Sequence, residues 1–158
     1  MRLLALMGAL CLLALDAAPA HAQAKPPYWA SLAAGEVRMR TGPGRNFPST
    51  WLYKRAGLPV MVIAVYTNWR RIEDPDGTSG WVQANLLSSA RTALVTGDIR
   101  PMHEKPDQAA SPVWRAEPGV VGKISQCDRG WCAFEVRGRT GWISTAHVWG
   151  VGADERLP

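Results

Sequence analysis

Two stretches of this sequence repeat one spacing of aromatic residues, and that repeat restricts the chain to a small set of folds. The first reads Trp69-Arg70-Arg71-Ile72 and, after a turn, Gly80-Trp81-Val82; the second reads Trp131-Cys132-Ala133-Phe134 and then Gly141-Trp142-Ile143. Trp69 follows Gly57 at the spacing with which Trp131 follows Gly119. The step from Trp131 to Trp142 is one residue shorter than the step from Trp69 to Trp81. A turn that changes length between fixed strands is the mark of a duplicated small β-domain.

The pattern between these anchors supports strands throughout. Val37 and Met39 alternate with charged neighbours over Glu36 to Arg40, a half-buried strand. Thr41 to Pro48 is dense in turn formers and reads as a loop. Thr50–Lys54, Leu58–Tyr66, Trp69–Glu73 and Ser79–Val82 follow as strands, with Asp74-Pro75-Asp76-Gly77 as a hairpin turn and Gln83–Leu86 as one helical turn. The second half offers Ile99–Met102, Val113–Arg115, Val120–Cys127, Trp131–Val136 and Thr140–Ile143, a turn at Arg137-Gly138-Arg139, a helical turn over Thr145–His147, and a last short strand from Val148 to Val151. Short strands with turns every 8–12 residues and no sustained amphipathic helix predict an all-β chain of small barrels.

The N-terminus is read apart from the fold. Met1-Arg2 is basic, Leu3 to Leu15 is almost wholly apolar, and Ala20-His21-Ala22 places small residues around a cleavage point, the build of a secretory signal peptide. The apolar run ends at Asp16, short of the roughly 20 residues that span a bilayer. Export leaves Cys127 and Cys132, which flank the turn Asp128-Arg129-Gly130-Trp131. An even pair across a tight hairpin in an oxidising compartment predicts a cross-strand disulfide. The formal charge of +5 is uneven: residues 28–95 hold eight Lys/Arg against four Asp/Glu, and residues 96–158 hold eight against eight. A basic face on an exported protein suits anionic envelope polymers or lipid head groups, or serves only as a solvated surface, and export argues against nucleic acid as a partner.

The run Val37-Arg38-Met39-Arg40-Thr41-Gly42-Pro43, followed by Phe47-Pro48, Trp69 and Gly80-Trp81-Val82, resembles the bacterial SH3-like (SH3b) domain family. The stretch Glu117-Pro118-Gly119-Val120-Val121-Gly122, with Cys127, Gly130-Trp131-Cys132 and Gly141-Trp142-Ile143, is similar to the same family. The resemblance implies two small SH3-like β-barrels in tandem. The expected division is a signal peptide over 1–22, a linker over 23–34, domains over 35–95 and 96–151, and a loose tail over 152–158. It also implies a ligand groove in the first module formed by Arg40, Asn46, Phe47 and Trp69, with Tyr53 or Tyr66 in addition. The second module has Arg100-Pro101-Met102-His103-Glu104-Lys105-Pro106 where the first has its Gly-Pro loop, so that role is not carried across.

No catalytic constellation can be assembled. After the signal only His103 and His147 remain, the two cysteines are expected to bond each other, and no Gly-x-Ser-x-Gly elbow, His-Glu-x-x-His helix or phosphate-binding glycine loop occurs. His103 falls on an apparent loop without a second metal ligand at useful spacing. The expected function is therefore noncovalent binding without metal or cofactor, in the periplasm or outside the cell. The ligand is peptidoglycan or an envelope protein, and the alternative is an adaptor that docks a peptide or an envelope enzyme. Trp81 and Trp142 read as core; Trp69 and Trp131 fit core packing and groove equally.

Overall fold

The computed structural model describes residues 24–158; the signal peptide expected over 1–22 lies outside them. Fourteen strands form two seven-stranded antiparallel sheets. β1 (Tyr28–Leu32), β2 (Val37–Arg40), β3 (Ser49–Tyr53), β4 (Pro59–Tyr66), β5 (Trp69–Glu73), β6 (Ser79–Gln83) and β7 (Leu87–Ser88) make the first, in the order β3-β2-β6-β5-β4-β1-β7. β8 (Thr92–Val95), β9 (Arg100–His103), β10 (Pro112–Ala116), β11 (Val121–Asp128), β12 (Trp131–Val136), β13 (Arg139–Ser144) and β14 (Val148–Trp149) make the second, in the order β10-β9-β13-β12-β11-β8-β14. The two orders are the same permutation, so the duplication extends to the topology. Short 3-10 turns at Ala84–Leu86 and Thr145–His147 stand where one helical turn was expected.

Local chemistry sets the hairpins. Arg129 and Gly130, and then Arg137 and Gly138, all have positive φ between directly paired residues (Asp128 with Trp131, Val136 with Arg139). Positive φ at both central residues matches the right-handed strand twist, and glycine adopts it without a steric penalty. The turn after β5 is held by a side chain: Asp74 Oδ1 accepts from the backbone N–H of Asp76 and Thr78 at 3.0 and 2.8 Å.

The glycine of each Gly-Trp pair has a packing reason. A Cβ on Gly80 would come within 2.5 Å of Met39 Cγ, and one on Gly141 within 2.6 Å of Met102 Cβ. Met39 and Met102 are buried on the adjacent β2 and β9, so the chain can cross them only without a side chain. Each sheet curls round its own core, one centred on Val37, Met39, Val60, Val62, Ile72 and Val82, the other on Met102, Ile124, Phe134 and Ile143. Cys127 and Cys132 are directly paired on β11 and β12, bonded to each other and buried in the second core.

Three expectations change. The linker over 23–34 contains β1, whose residues pair with β4 and β7 and bury Ala30, Ser31 and Leu32. β8 belongs to the second sheet, not to the end of the first, because it occupies there the place β1 has in the first; the crossing between modules lies between Ser88 and Thr92. The tail over 152–158 is docked rather than loose. Leu157 exchanges backbone hydrogen bonds with Cys127 at 3.0 and 3.1 Å, and Glu155 pairs with Arg91.

The modules touch each other. Thr92 Oγ1 donates to the Gly57 carbonyl at 2.8 Å, Ser31 Oγ donates to the Ala90 carbonyl at 2.8 Å, and Trp29 meets Trp149 edge to face with ring centroids 4.7 Å apart. Trp29 and Trp149 thus have a role at the junction that composition alone did not assign.

Candidate ligand cleft in the first module

β2 buries Val37 and Met39, so period-two alternation turns Arg38 and Arg40 to the opposite face. There they border a cleft of about 320 Å³ together with Arg45, Glu36, Trp69 and Gln83. Trp69, 9% exposed, forms part of its wall from the start of β5. The loop after β2 is fixed from below: Arg40 Nη1 donates to the Phe47 carbonyl at 2.8 Å, and Thr41 N–H donates to the Pro48 carbonyl at 3.1 Å. The Phe47 ring lies against Gly42, where a Cβ would come within 2.4 Å of it. The Gly-Pro loop is therefore shaped by an aromatic ring on bare backbone and by one guanidinium. Among the described residues neither Arg38 nor Arg45 enters an ion pair. Three arginines against one glutamate make the cleft suited to carboxylate or phosphate, which a guanidinium grips with two parallel N–H donors.

The residues expected from the sequence separate into three groups. Arg40 and Trp69 line the cleft. Asn46 and Phe47 are exposed on the loop beside it, Phe47 at 39%, and Tyr66 is exposed at the end of β4, paired with Trp69 across the hairpin. Tyr53 lies in the core, 6% exposed, with its hydroxyl donating to Asp74 Oδ2 at 2.9 Å, so its ring offers no face to a ligand. Burial, then the hydrogen bond and charge of Asp74, hold that hydroxyl protonated well above the usual tyrosine range. Arg38 and Arg45 were missed; the alternation that buries Val37 and Met39 was the available signal for Arg38. The core reading of the tryptophans also inverts in part: Trp69 is buried, whereas Trp81 and Trp142 are half-buried.

The equivalent place in the second module is built from different residues. His103 pairs with Trp142 as Arg40 pairs with Trp81, and its Nδ1 donates to the Ala110 carbonyl at 2.8 Å, just as Arg40 holds Phe47. The imidazole is buried at the end of β9, not on a loop, and packs edge to face on Trp131 with centroids 5.4 Å apart. A shorter, ring-shaped residue thus holds the loop and packs against Trp131, whose counterpart Trp69 borders a cleft in the first module. Among the described residues no group of three or more His, Cys, Asp or Glu is placed to hold a metal ion, and no helix is long and apolar enough to cross a membrane.

The chain is 27% identical over 131 residues to YrvJ of Bacillus subtilis, which is provisionally named an N-acetylmuramoyl-L-alanine amidase. The match covers 75% of this chain and 25% of that protein. Among solved structures, NlpC1 from Trichomonas vaginalis is similar at 10% identity and a TM-score of 0.35, over 80% of this chain and 46% of its own. NlpC2 from the same organism follows at 12% and 0.36, over 78% and 48%. The chain therefore spans a quarter of the curated relative and just under half of each of these structures. The bacterial SH3 domain family matches residues 33–89 and again 96–150, one match on each sheet. With both cores, both sets of hairpins and both Gly-Trp crossings accounted for by these two matches, the chain belongs to the bacterial SH3 domain family.

Proposed function

We propose that this is an exported, non-catalytic binding protein that recognises a carboxylate-bearing ligand of the cell envelope, peptidoglycan foremost, in the cleft of its first module. The observation that carries the reading is the grouping of Arg38, Arg40 and Arg45 beside the Trp69 ring with one opposing acid, Glu36. Peptidoglycan stem peptides present free carboxylates beside sugar and peptide faces; arginine forks take the first, and an aromatic wall takes the second. Similarity to a protein named for cleaving such material supports the same ligand class. Because the match spans a quarter of that protein, binding is carried across and catalysis is not. The bonded cysteines support an oxidising compartment and leave neither sulfur as a nucleophile.

A second reading is an adaptor for a peptide segment of an envelope protein. It is favoured by β3, an edge strand whose Ser49, Thr50 and Trp51 are exposed, Trp51 at 56%. An unpaired edge with a large aromatic can accept an added peptide strand. Co-sedimentation of residues 24–158 with purified sacculi tests the first reading. Saturable pelleting is expected; absence of pelleting, with capture of a defined envelope protein lost in Trp51→Ala, would establish the adaptor instead.

A further inference from the structure

The charges of the second module balance in sequence but not in space. A groove of about 820 Å³ runs between the modules, bordered by Arg55 of the first and by Trp114, Arg115, Lys123, Arg137 and Arg139 of the second. Only two acids, Glu117 and Glu135, share it. Asp98, Glu104, Asp107, Asp128, Asp154 and Glu155 lie elsewhere, so four cations of an evenly balanced module, joined by Arg55 of the first, face two acids. None of the five cations enters an ion pair among the described residues. The Thr92–Gly57 hydrogen bond joins the modules at this groove, and Gly57 and Thr92 both border it, which fixes Arg55 relative to the cations of β10, β11 and the β12–β13 hairpin.

We infer that this groove is a second binding site, independent of the first-module cleft, for a linear carboxylate-bearing polysaccharide. Three features select that class. The site is a groove assembled from both modules, which suits a chain better than a flat bilayer. Trp114 is half-buried, stacked on Phe134 with centroids 6.3 Å apart, and its Nε1 donates to the Thr140 carbonyl at 2.7 Å; the Arg139 guanidinium lies 5.0 Å above the ring. The guanidinium held over the rigid ring offers an acid group a charged partner, and the half-buried indole beside it offers a sugar apolar contact. The interspersed Glu117 and Glu135 oppose the dense charge of nucleic acid, while polysaccharide hydroxyls can donate to them.

The test is binding of polygalacturonate oligomers to residues 24–158 by calorimetry, with dextran, a single-stranded oligonucleotide of equal charge and vesicles containing anionic phospholipid as comparisons. Binding to polygalacturonate alone is expected, with a log K against log salt slope of about −2 to −4 for five cations partly offset by two acids. Arg115→Glu/Arg139→Glu should raise Kd by about tenfold or more, and a control of equal charge change, Lys105→Glu/Arg129→Glu, by about twofold at most. Arg115→Gln/Arg139→Gln, with an unchanged melting temperature, guards against misfolding of the reversed variant and should raise Kd in the same direction. Equal weakening by both glutamate pairs, no binding, or equal binding of the oligonucleotide or the vesicles would overturn the inference. Loss of sacculus pelleting with intact polygalacturonate binding would refute the first-module proposal and leave this one standing.

Discussion

Replacing Tyr53 by phenylalanine separates a core role from a ligand role at one atom. The Tyr53 hydroxyl is the donor to Asp74 Oδ2, and Asp74 is buried at 5% exposure with Oδ1 already committed to two turn amides. Removing the hydroxyl leaves a buried carboxylate oxygen without that donor while the ring keeps its packing. A hydrogen bond to a charged group contributes about 1.5–3 kcal/mol, and the orphaned acceptor places Tyr53→Phe near 2 kcal/mol. For modules of this size that corresponds to a fall in melting temperature of roughly 5–15 °C. The variant also carries a pH signature. The hydroxyl's folded value lies above its ordinary 10.0, so its stabilisation is complete below pH 10 and is lost as pH rises further. Melting curves by circular dichroism from neutral to alkaline pH should show a steeper loss above pH 10 in the native protein than in Tyr53→Phe. Sacculus binding should be unchanged. A melting temperature within about 1 °C of the native protein, or lost binding in a stable variant, would refute this assignment.

Other consequences are as direct. Alkylation of the exported protein without reductant should find no free thiol at Cys127 or Cys132, and Cys127→Ser/Cys132→Ser should destabilise the second module by about 2 kcal/mol, the chain-entropy value for so short a loop. Glu155 is held below its ordinary carboxylate range by the Arg91 hydrogen bond, against opposing burial, with further help from the Gly152 N–H. Its stabilisation is present above about pH 4.5 and lost as pH falls below it, so the tail should gain amide exchange near Leu157 in acid, and Glu155→Gln should show that gain at neutral pH. Gly80→Ala should destabilise the first module by several kcal/mol at most and at least about 1 kcal/mol, because the new methyl meets the Arg40 carbonyl as well as Met39; an unchanged melting temperature would contradict the close crossing.

The fold was legible where period two and turn chemistry act locally. β5, β12 and the hairpins at Asp74–Gly77 and Arg137–Gly138 follow from alternation and from residues that accept positive φ. β1 was hidden because Trp29-Ala30-Ser31-Leu32 shows no alternation; Ala30, Ser31 and Leu32 are buried in succession. β8 fell inside the range expected for the first domain because the apolar run Ala93-Leu94-Val95 fits the end of one module or the start of the next, and only its partners β11 and β14 reveal its membership. The cleft was half legible. Arg40 and Trp69 came from motif positions, Arg38 was available from the pleat, and Arg45 depends on how the Gly-Pro loop folds back. Tyr53 was misplaced because its neighbours Trp51 and Leu52 gave no sign that a carboxylate 21 residues away would draw it inward. The His103 exchange for Arg40 becomes visible only when the two sheets are superposed strand for strand. The inter-module cations are spread from Arg55 to Arg139, and no local pattern joins them.

The central claim is that the first-module cleft grips a carboxylate of the wall, and one measurement meets it head on. Native protein and Arg38→Ala/Arg45→Ala, which spares the Arg40 anchor of the loop, are pelleted with purified sacculi before and after the sacculus carboxylates are amidated. The account predicts saturable binding by the native protein, weakened by about tenfold or more in the variant and similarly on amidated sacculi. Equal pelleting of native protein and variant on native sacculi, or of native protein on native and amidated sacculi, would contradict it.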